Sequence, residues 1–313
     1  MDLLLSAAVL PWIVFFILVI ALLAFDLGVL NRKDHEISVR ESLWLSAFYI
    51  AVAVVFGLGV WWWRGGEDAL LYYTGFLVEK SLSLDNVFVF ALIFGALGIP
   101  RLYEHRVLVW GILAALVLRA AFIGFGAAAV SEWQWILWFF GAFLIYTGAK
   151  MLWAQDEEPA GLENNRVYQW MQQRMNLTTE YRGHAFWFRE NGVRYFTPLF
   201  VALVLINIAD IVFAVDSVPA ILAITQDPFI VYTSNIFAIL GLRALYFALS
   251  AMIHRFHYLK YALALILVLI GVKIVLMMLA IKLAPAITLS LTFGLLASGV
   301  GYSMWRTRHE TVA

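Results

Sequence analysis

The fold of this chain is decided by the stretch Gly75-Phe-Leu-Val-Glu-Lys-Ser-Leu-Ser-Leu-Asp-Asn-Val-Phe-Val-Phe-Ala-Leu-Ile-Phe94. The stretch is long and apolar enough to cross a bilayer, yet it holds four polar residues near its middle: Glu79, Lys80, Asp85 and Asn86. A charge at that depth costs roughly 2.5–3.5 kcal/mol on insertion scales. Charged groups persist there when they contact each other, an ion or water, so the stretch predicts a polar site inside a membrane protein.

A second stretch repeats this pattern later in the chain, in Leu205-Ile-Asn-Ile-Ala-Asp-Ile-Val-Phe-Ala-Val-Asp-Ser-Val-Pro-Ala220. Each copy has two acids six positions apart and a small polar residue directly after the second acid: Glu79, Asp85 and Asn86 in the first copy, Asp210, Asp216 and Ser217 in the second. The rest of the chain is predicted to be the scaffold that brings the two copies together.

The composition is that of a polytopic membrane protein. Of 313 residues, 64% are apolar and 13% are charged, whereas soluble domains have about 45–50% apolar and about 25% charged residues. The chain has no cysteine, which excludes disulfides, thiolate metal sites and cysteine nucleophiles. The first apolar run reaches Phe25 without a basic segment before it, so we expect a retained first span rather than a signal peptide.

About 20 apolar residues cross the hydrocarbon core as a helix, and by that measure the sequence predicts an all-α protein of about nine transmembrane helices. The predicted spans are 5–29, 43–63, 70–98, 106–130, 133–154, 197–225, 229–253, 258–281 and 284–305. Tryptophans gather at several span ends, as at 61–63 and 133–138, which is typical of an interfacial belt.

The basic residues predict the orientation. One set of alternate connections and the C-terminal tail hold fourteen of them: Arg32, Lys33, Arg40, Arg101, Arg106, Arg166, Arg174, Arg182, Arg189, Arg194, Arg255, Lys260, Arg306 and Arg308. The opposite connections hold only Arg64 and Lys282. The positive-inside rule then places the N-terminus outside and the C-terminus in the cytoplasm, and we expect a bacterial inner membrane.

Spans 3–5 and 6–8 correspond to each other beyond the acids. The second span of each unit carries an arginine, Arg119 or Arg243, and the third carries Gly-x-Lys, at Gly148 or Gly271. Units with an odd number of spans insert with opposite topology, so the sequence predicts two inverted three-helix repeats plus three extra helices. In transporters built this way the substrate site lies near the midplane, between the repeats.

The predicted organisation has five parts. Residues 1–65 hold helices 1 and 2, and residues 66–154 form repeat 1 with helices 3–5. Residues 155–196 form a cytoplasmic loop, in which the segment 166–175 is a candidate amphipathic helix. Residues 197–282 form repeat 2 with helices 6–8, and residues 283–313 hold helix 9 and the tail.

The two acid motifs, together with Thr233-Ser-Asn-Ile-Phe-Ala-Ile-Leu-Gly-Leu-Arg243, resemble the TerC/Alx family of integral membrane proteins. The resemblance covers nearly the whole chain, from Asp26 to the last span. It implies a LysE-type transporter plan and a link to manganese export, with some members linked to tellurium resistance or alkaline response. Where the family often has a glutamate, this chain has Asn207, which removes one potential ligand or proton carrier.

The site residues offer oxygen ligands. The predicted metal ligands are Asp85, Asp216, Glu79, Asp210, Asn86 and Ser217, with Asp26 and Asn207 as accessory residues. Clusters of oxygen donors favour manganese, calcium or magnesium over copper and zinc. Carboxylates held close together repel one another unless a dication or protons are present. The ligands leave these three ions open, and the resemblance implies manganese export, so we predict Mn²⁺ as the transported ion, exchanged against protons, with no prosthetic group.

Helix geometry sets a condition on this site. Residues six positions apart point about 120° away from each other, whereas residues seven apart share a face to within about 20°. The two acids of one motif can therefore meet only if their helix is interrupted, and Pro219 is the candidate cause in span 6. Otherwise the two acids have different tasks. Our hypothesis is that Asp85 and Asp216 hold the ion, while Glu79 and Asp210 complete the sphere or carry protons.

Three cations are predicted to form structural ion pairs that orient these acids: Arg119, Arg243 and Lys80. The alternative is that the acids are purely structural. Other transport substrates remain open, namely calcium or an amino acid whose carboxylate an unpaired arginine would bind. A membrane stress-response or assembly factor is a third class. No catalytic or nucleotide-binding motif is present, so we expect neither an enzyme nor a nucleic-acid partner, and the sequence identifies no protein partner.

Overall fold

The computed structural model describes residues 2–28, 38–133, 135–153, 165–250, 259–279, 281 and 283–310. In those ranges the chain forms helices and one hairpin: α1 Asp2–Gly28, α2 Val39–Arg64, α3 Gly66–Ala96, α4 Arg101–Glu132, α5 Ile136–Trp153, α6 Arg166–Arg174, β1 Trp187–Glu190, β2 Val193–Phe196, α7 Pro198–Ile224, α8 Pro228–Ile239, α9 Leu242–Ser250, α10 Leu259–Met278 and α11 Pro285–Glu310.

The prediction of a helical polytopic membrane protein is confirmed. Eight helical stretches are long and apolar enough to cross a membrane, with α8 and α9 counted together. Helix α3 is not among them, although its 31 residues extend about 46 Å at 1.5 Å per residue. Every membrane-length window of α3 contains three or more charged residues. With α3 the described chain has nine helical stretches of spanning length, as the sequence predicted.

The predicted interruption at Pro219 was wrong. Helix α7 continues through Pro219 without a break, because membrane helices tolerate a proline when neighbouring groups compensate the lost hydrogen bond. The interruption lies in the next span, at Leu240 and Gly241, between α8 and α9. A side chain on Gly241 would meet Tyr49 Cβ at 3.0 Å and Lys80 Nζ at 3.2 Å, so this turn is packed closely against α2 and α3.

Helices α5 and α10 pack against each other through glycines. A Cβ on Gly148 would lie 2.6 Å from the carbonyl oxygen of Ala264, and one on Gly271 would lie 2.8 Å from that of Gly141. Residues early in α10 thus face residues late in α5, so the two helices run antiparallel. Antiparallel packing of these two helices is what an inverted repeat requires, and the repeat itself stays a prediction.

Substituting Gly148 with alanine should destabilise the protein by about 1–3 kcal/mol, because the added methyl collides with backbone that cannot rotate away. The matched control is Gly59→Ala in α2, where a Cβ meets nothing within 4 Å. Thermal unfolding of the detergent-solubilised protein measures both. Equal melting temperatures for the two variants would show that the α5–α10 contact is not tight.

The connection between α5 and α7 contains more structure than a linker. The predicted amphipathic helix is present as α6, with Met171 buried against the core. A β-hairpin follows, which the sequence analysis did not predict. The sequence contains a signal for this hairpin, because Asn191-Gly192 is a favoured two-residue hairpin turn. In the structure both residues have positive φ, 49° and 82°. The Tyr181 hydroxyl donates to the Gly98 carbonyl at 3.2 Å. This hydrogen bond attaches the connection to the turn between α3 and α4.

Candidate ion-binding site

Helices α3 and α7 lie side by side in antiparallel directions, and this places the two polar motifs opposite each other. Asn86 Nδ2 of α3 donates to Asp210 Oδ1 of α7 at 3.2 Å. A Cβ on Gly75, three turns earlier, would meet Ile221 of α7. In this register Glu79 lies at the level of Ser217. Each helix thus presents one acid and one small polar residue seven positions later, which share a face.

Arg119 of α4 joins these residues. Its guanidinium forms an ion pair with Glu79 and another with Asp210, the second at 3.0 Å from Nη2 to Oδ1. Nη1 also donates to Ser217 Oγ at 3.0 Å. The arginine and both acids are 2% exposed. Two carboxylates therefore share one permanent positive charge in a site without bulk water, which leaves one negative charge uncompensated if both acids are ionised.

Asn235 of α8 completes this cluster, and the sequence analysis did not assign it a role. Its Nδ2 donates to Glu79 Oε2 at 3.1 Å, and the residue is fully buried. The available signal was the run Thr233-Ser-Asn235 inside an apolar span. The hydroxyls of Thr233 and Ser234 donate to carbonyls of their own helix at 2.7 Å, so only the asparagine reaches the acids.

Several buried oxygens in this region have no hydrogen-bond partner among the described residues. They are Asn86 Oδ1, Asp210 Oδ2, Asp216 Oδ1 and Asn235 Oδ1. The amide nitrogens of both asparagines donate to carboxylates, which fixes where their oxygens lie. Buried polar atoms in native proteins are almost always satisfied. These acceptors outnumber Arg119 Nε, the one donor of this cluster without a partner among the described residues, so the region is suited to a positively charged ligand.

Asp216 has different surroundings from Asp210, although both lie on α7. It lines a cavity of about 310 Å³ together with residues of α3, α4, α5, α10 and α7 itself: Leu82, Asn86, Arg119, Thr147, Lys150, Met151, Phe213, Ser217 and Leu267. Asp210 is not among the lining residues. The six-residue spacing thus directs one acid to the arginine and the other to the cavity, because α7 is continuous.

Other parts of the predicted ligand set are not assembled. The side chain of Asp85 lies outside the described residues, so its predicted approach to Asp216 stays a prediction. Among the side chains that the structure does describe, no three histidines or acids come together as a metal site. Asn207 donates to the Leu203 carbonyl of its own helix at 2.7 Å. Its Oδ1 is buried without a partner in the described part of the chain.

The sequence profile of the TerC family of integral membrane proteins matches residues 64–311. The chain belongs to the TerC family. It is 46% identical over 298 residues to "Uncharacterized membrane protein STKORF319" of Myxococcus xanthus, which covers 95% of this chain and 93% of the relative. It is 40% identical over 309 residues to "Putative membrane-bound redox modulator Alx" of Escherichia coli K12, with 96% of each chain covered. No solved structure matches the chain significantly.

In this TerC-family chain Arg243 has a different partner from Arg119. Its Nη2 pairs with Asp26 of α1 at 2.5 Å, and it also contacts His105 of α4. The Tyr49 hydroxyl donates to the same Asp26 oxygen at 2.9 Å. The two arginines correspond in the sequence, but Arg119 pairs with Glu79 and Asp210, whereas Arg243 pairs with Asp26. Arg243 instead attaches the extra helices α1 and α2 to the bundle.

Lys80 was predicted to form an ion pair, and the structure differs. Its Nζ donates to the Ala238 carbonyl at 3.0 Å, and no acid among the described side chains pairs with it. Ala238 lies in the last turn of α8, just before the interruption. Carbonyls at the end of a helix lack intrahelical donors and carry a partial negative charge, so they attract a buried lysine.

Arg64, the last residue of α2, connects the ends of three helices. It pairs with Asp227 at 2.6 Å and with Asp68 at 2.7 Å. Asp227 also caps α8 by accepting from the Ile230 backbone N–H. Burial acts to raise the pKa of Asp227, but hydrogen bonds from Arg64 and from that backbone N–H outweigh it, and the net pKa is lowered. The contribution of this pair to stability is therefore present above the ordinary aspartate pKa and is lost as the pH falls through the lowered value.

Proposed function

We propose that this TerC-family protein is a secondary transporter that exports divalent cations, with Mn²⁺ as the principal substrate, in exchange for protons. The observation that carries the proposal is the set of buried oxygens without donors, contributed by Asn86, Asp210, Asp216 and Asn235. They come from α3, α7 and α8, so a cation bound there would connect helices of both predicted repeats.

The ligand chemistry supports a hard divalent cation. The oxygens are carboxylates and amide carbonyls, which suit manganese, magnesium and calcium. The site contains no thiolate, because the chain has no cysteine. Mn²⁺ is preferred in the proposal because the family resemblance points to manganese export. Magnesium gives up its water molecules reluctantly, which disfavours it in a site from which bulk water is excluded.

Arg119 supports cation transport over amino-acid transport. An amino-acid carboxylate binds arginine best through two parallel N–H donors, whereas Nη1 and Nη2 of Arg119 already bind Glu79, Asp210 and Ser217, which leaves Nε as its one nitrogen without a partner among the described residues. The same cluster supports proton exchange. Once the dication leaves, carboxylates near one another are stabilised by protonation, so cation release and proton uptake become coupled at the same atoms.

The name of the Escherichia coli relative describes that protein as a redox modulator. A redox role has less support in this chain. Reversible thiol chemistry requires cysteine, and the sequence has none. Such a role would not use the membrane-embedded acids or the cavity beside Asp216. Ion transport would use both.

Purified protein in liposomes tests the proposal directly. With an acidic interior, we expect Mn²⁺ uptake, measured with an internal metal-sensitive dye, to be at least several-fold faster than without a pH gradient. Parallel samples contain Ca²⁺ or Mg²⁺, and protein-free liposomes are the control. Uptake of none of the three cations above that control would refute cation transport. Mn²⁺ uptake that ignores the pH gradient would refute proton coupling alone.

A further inference from the structure

The β-hairpin of residues 187–196 lies directly at the start of a membrane-spanning helix. Strand β2 ends at Phe196 and α7 begins at Pro198, with only Thr197 between them. The Thr197 hydroxyl donates to the Ala185 carbonyl at 2.8 Å, and its N–H donates to the Phe186 carbonyl at 3.0 Å. These bonds hold the hairpin to the helix end, which places it at the level of the lipid headgroups.

One face of this hairpin carries two arginines side by side. Arg189 and Arg194 are directly opposite each other in the strand register, so their side chains leave the same face. Like charges in that position are destabilising. No acid in the described part of the chain pairs with either arginine. Arg194 instead lies over the Trp187 ring, with 4.6 Å between Cζ and the ring centroid.

The other face of the hairpin provides a contrast. There Arg182 packs over the Phe188 ring at 4.1 Å and pairs with Glu190 at 2.7 Å between Nη2 and Oε2. The charge on that face is thus compensated inside the protein. Among the described residues, no anion compensates the charge of the face with Trp187, Arg189 and Arg194, although both faces belong to the same short hairpin.

We propose that Trp187, Arg189 and Arg194 form a binding site for the phosphate of an anionic lipid headgroup. Arginine donates paired hydrogen bonds to phosphate oxygens, and one phosphate between the two guanidinium groups removes their repulsion. Anionic lipids attract arginines near the membrane surface. Trp187 is 50% exposed, and an indole beside the headgroups is the usual interfacial anchor.

The exposed indole distinguishes a lipid from a free phosphate ion. Phosphate alone would satisfy the arginines but would leave the Trp187 ring in water. A lipid supplies the phosphate and, directly beside it, the interfacial region in which tryptophan is stabilised. The site does not depend on which ion the protein transports, nor on whether it transports one.

Native mass spectrometry of the full-length protein in an uncharged detergent tests this site. Phosphatidylglycerol and phosphatidylcholine are titrated separately, and bound lipids per protein are counted. We expect the preference for phosphatidylglycerol to fall about tenfold in Arg189→Gln/Arg194→Gln. The matched control, Arg182→Gln, removes an exposed arginine that packs against the opposite face of the hairpin and should keep the preference. A double variant that binds phosphatidylglycerol as the wild type does would overturn the proposal.

Two further measurements complete the test. Inorganic phosphate at millimolar concentration should not displace bound phosphatidylglycerol, and displacement would identify a free-phosphate site instead. Arg189→Lys/Arg194→Lys keeps the charge but loses the planar donor pairs, so it should bind with intermediate affinity. This lysine variant also serves if the glutamine variant fails to fold, because wild-type affinity in it would contradict arginine recognition of phosphate.

Discussion

Replacing Arg119 by glutamine is expected to lower the free energy of unfolding by about 3–5 kcal/mol, the largest stability effect that we predict for this protein. Removing one member of a buried ion pair leaves the partner charge uncompensated, which costs that much. Here the loss would strand two acids at once, Glu79 and Asp210, since both pair with this one guanidinium. Thermal unfolding of the purified protein measures the change.

A charge-balanced variant provides the control for this prediction. Arg119→Gln combined with Glu79→Gln and Asp210→Asn removes all three charges while keeping the shapes of the two acid side chains. Replacing a buried ionic group by neutral groups of similar volume is often close to neutral for stability. We therefore expect the triple variant to regain most of the lost stability. A triple variant as unstable as the single one would mean that packing of the arginine, and not its charge, holds the helices.

The sequence predicts the membrane architecture well because hydrophobic length acts locally. The nine spans can be predicted from the apolar runs alone. Even the charged helix α3 is identified by the apolar residues on both sides of its charges. Helix geometry also predicts that Glu79 shares one helix face with Asn86, and that Asp210 shares one with Ser217. These predictions succeed because each of them depends on the sequence of a single helix.

The sequence does not predict contacts that depend on how different helices pack. Arg119 and Arg243 occupy corresponding positions, yet one binds the motif acids and the other binds Asp26 of an added helix. Similarly, Pro219 is the stronger local signal for a break, but the interruption forms at Gly241, where Tyr49 of α2 packs closely. Local propensity is overridden in both cases by partners distant in the chain.

The two acids of the α7 motif should therefore respond to substitution in different ways. Asp210 contributes to the network that holds α3, α4 and α7 together, whereas Asp216 is directed into the cavity. No arginine or lysine among the described residues forms an ion pair with Asp216. Neutralising Asp216 thus strands no opposite charge, and the stability cost of Arg119→Gln has no counterpart at this position.

Asp216→Asn should reduce Mn²⁺ transport in liposomes at least tenfold while changing the free energy of unfolding by no more than about 0.5 kcal/mol. A hydrogen bond to a charged group contributes about 1.5–3 kcal/mol, against about 0.5–1.5 kcal/mol between neutral groups, and each 1.4 kcal/mol corresponds to a factor of about ten in binding. The control is Asp68→Asn, which removes an acid whose partly exposed pair with Arg64 contributes about 1 kcal/mol or less. If Asp216→Asn transports as fast as Asp68→Asn, the cavity carboxylate does not bind the ion. If Asp216→Asn instead loses stability as Arg119→Gln does, Asp216 is a structural acid, and the ion-binding oxygens must be sought among Asn86, Asp210 and Asn235.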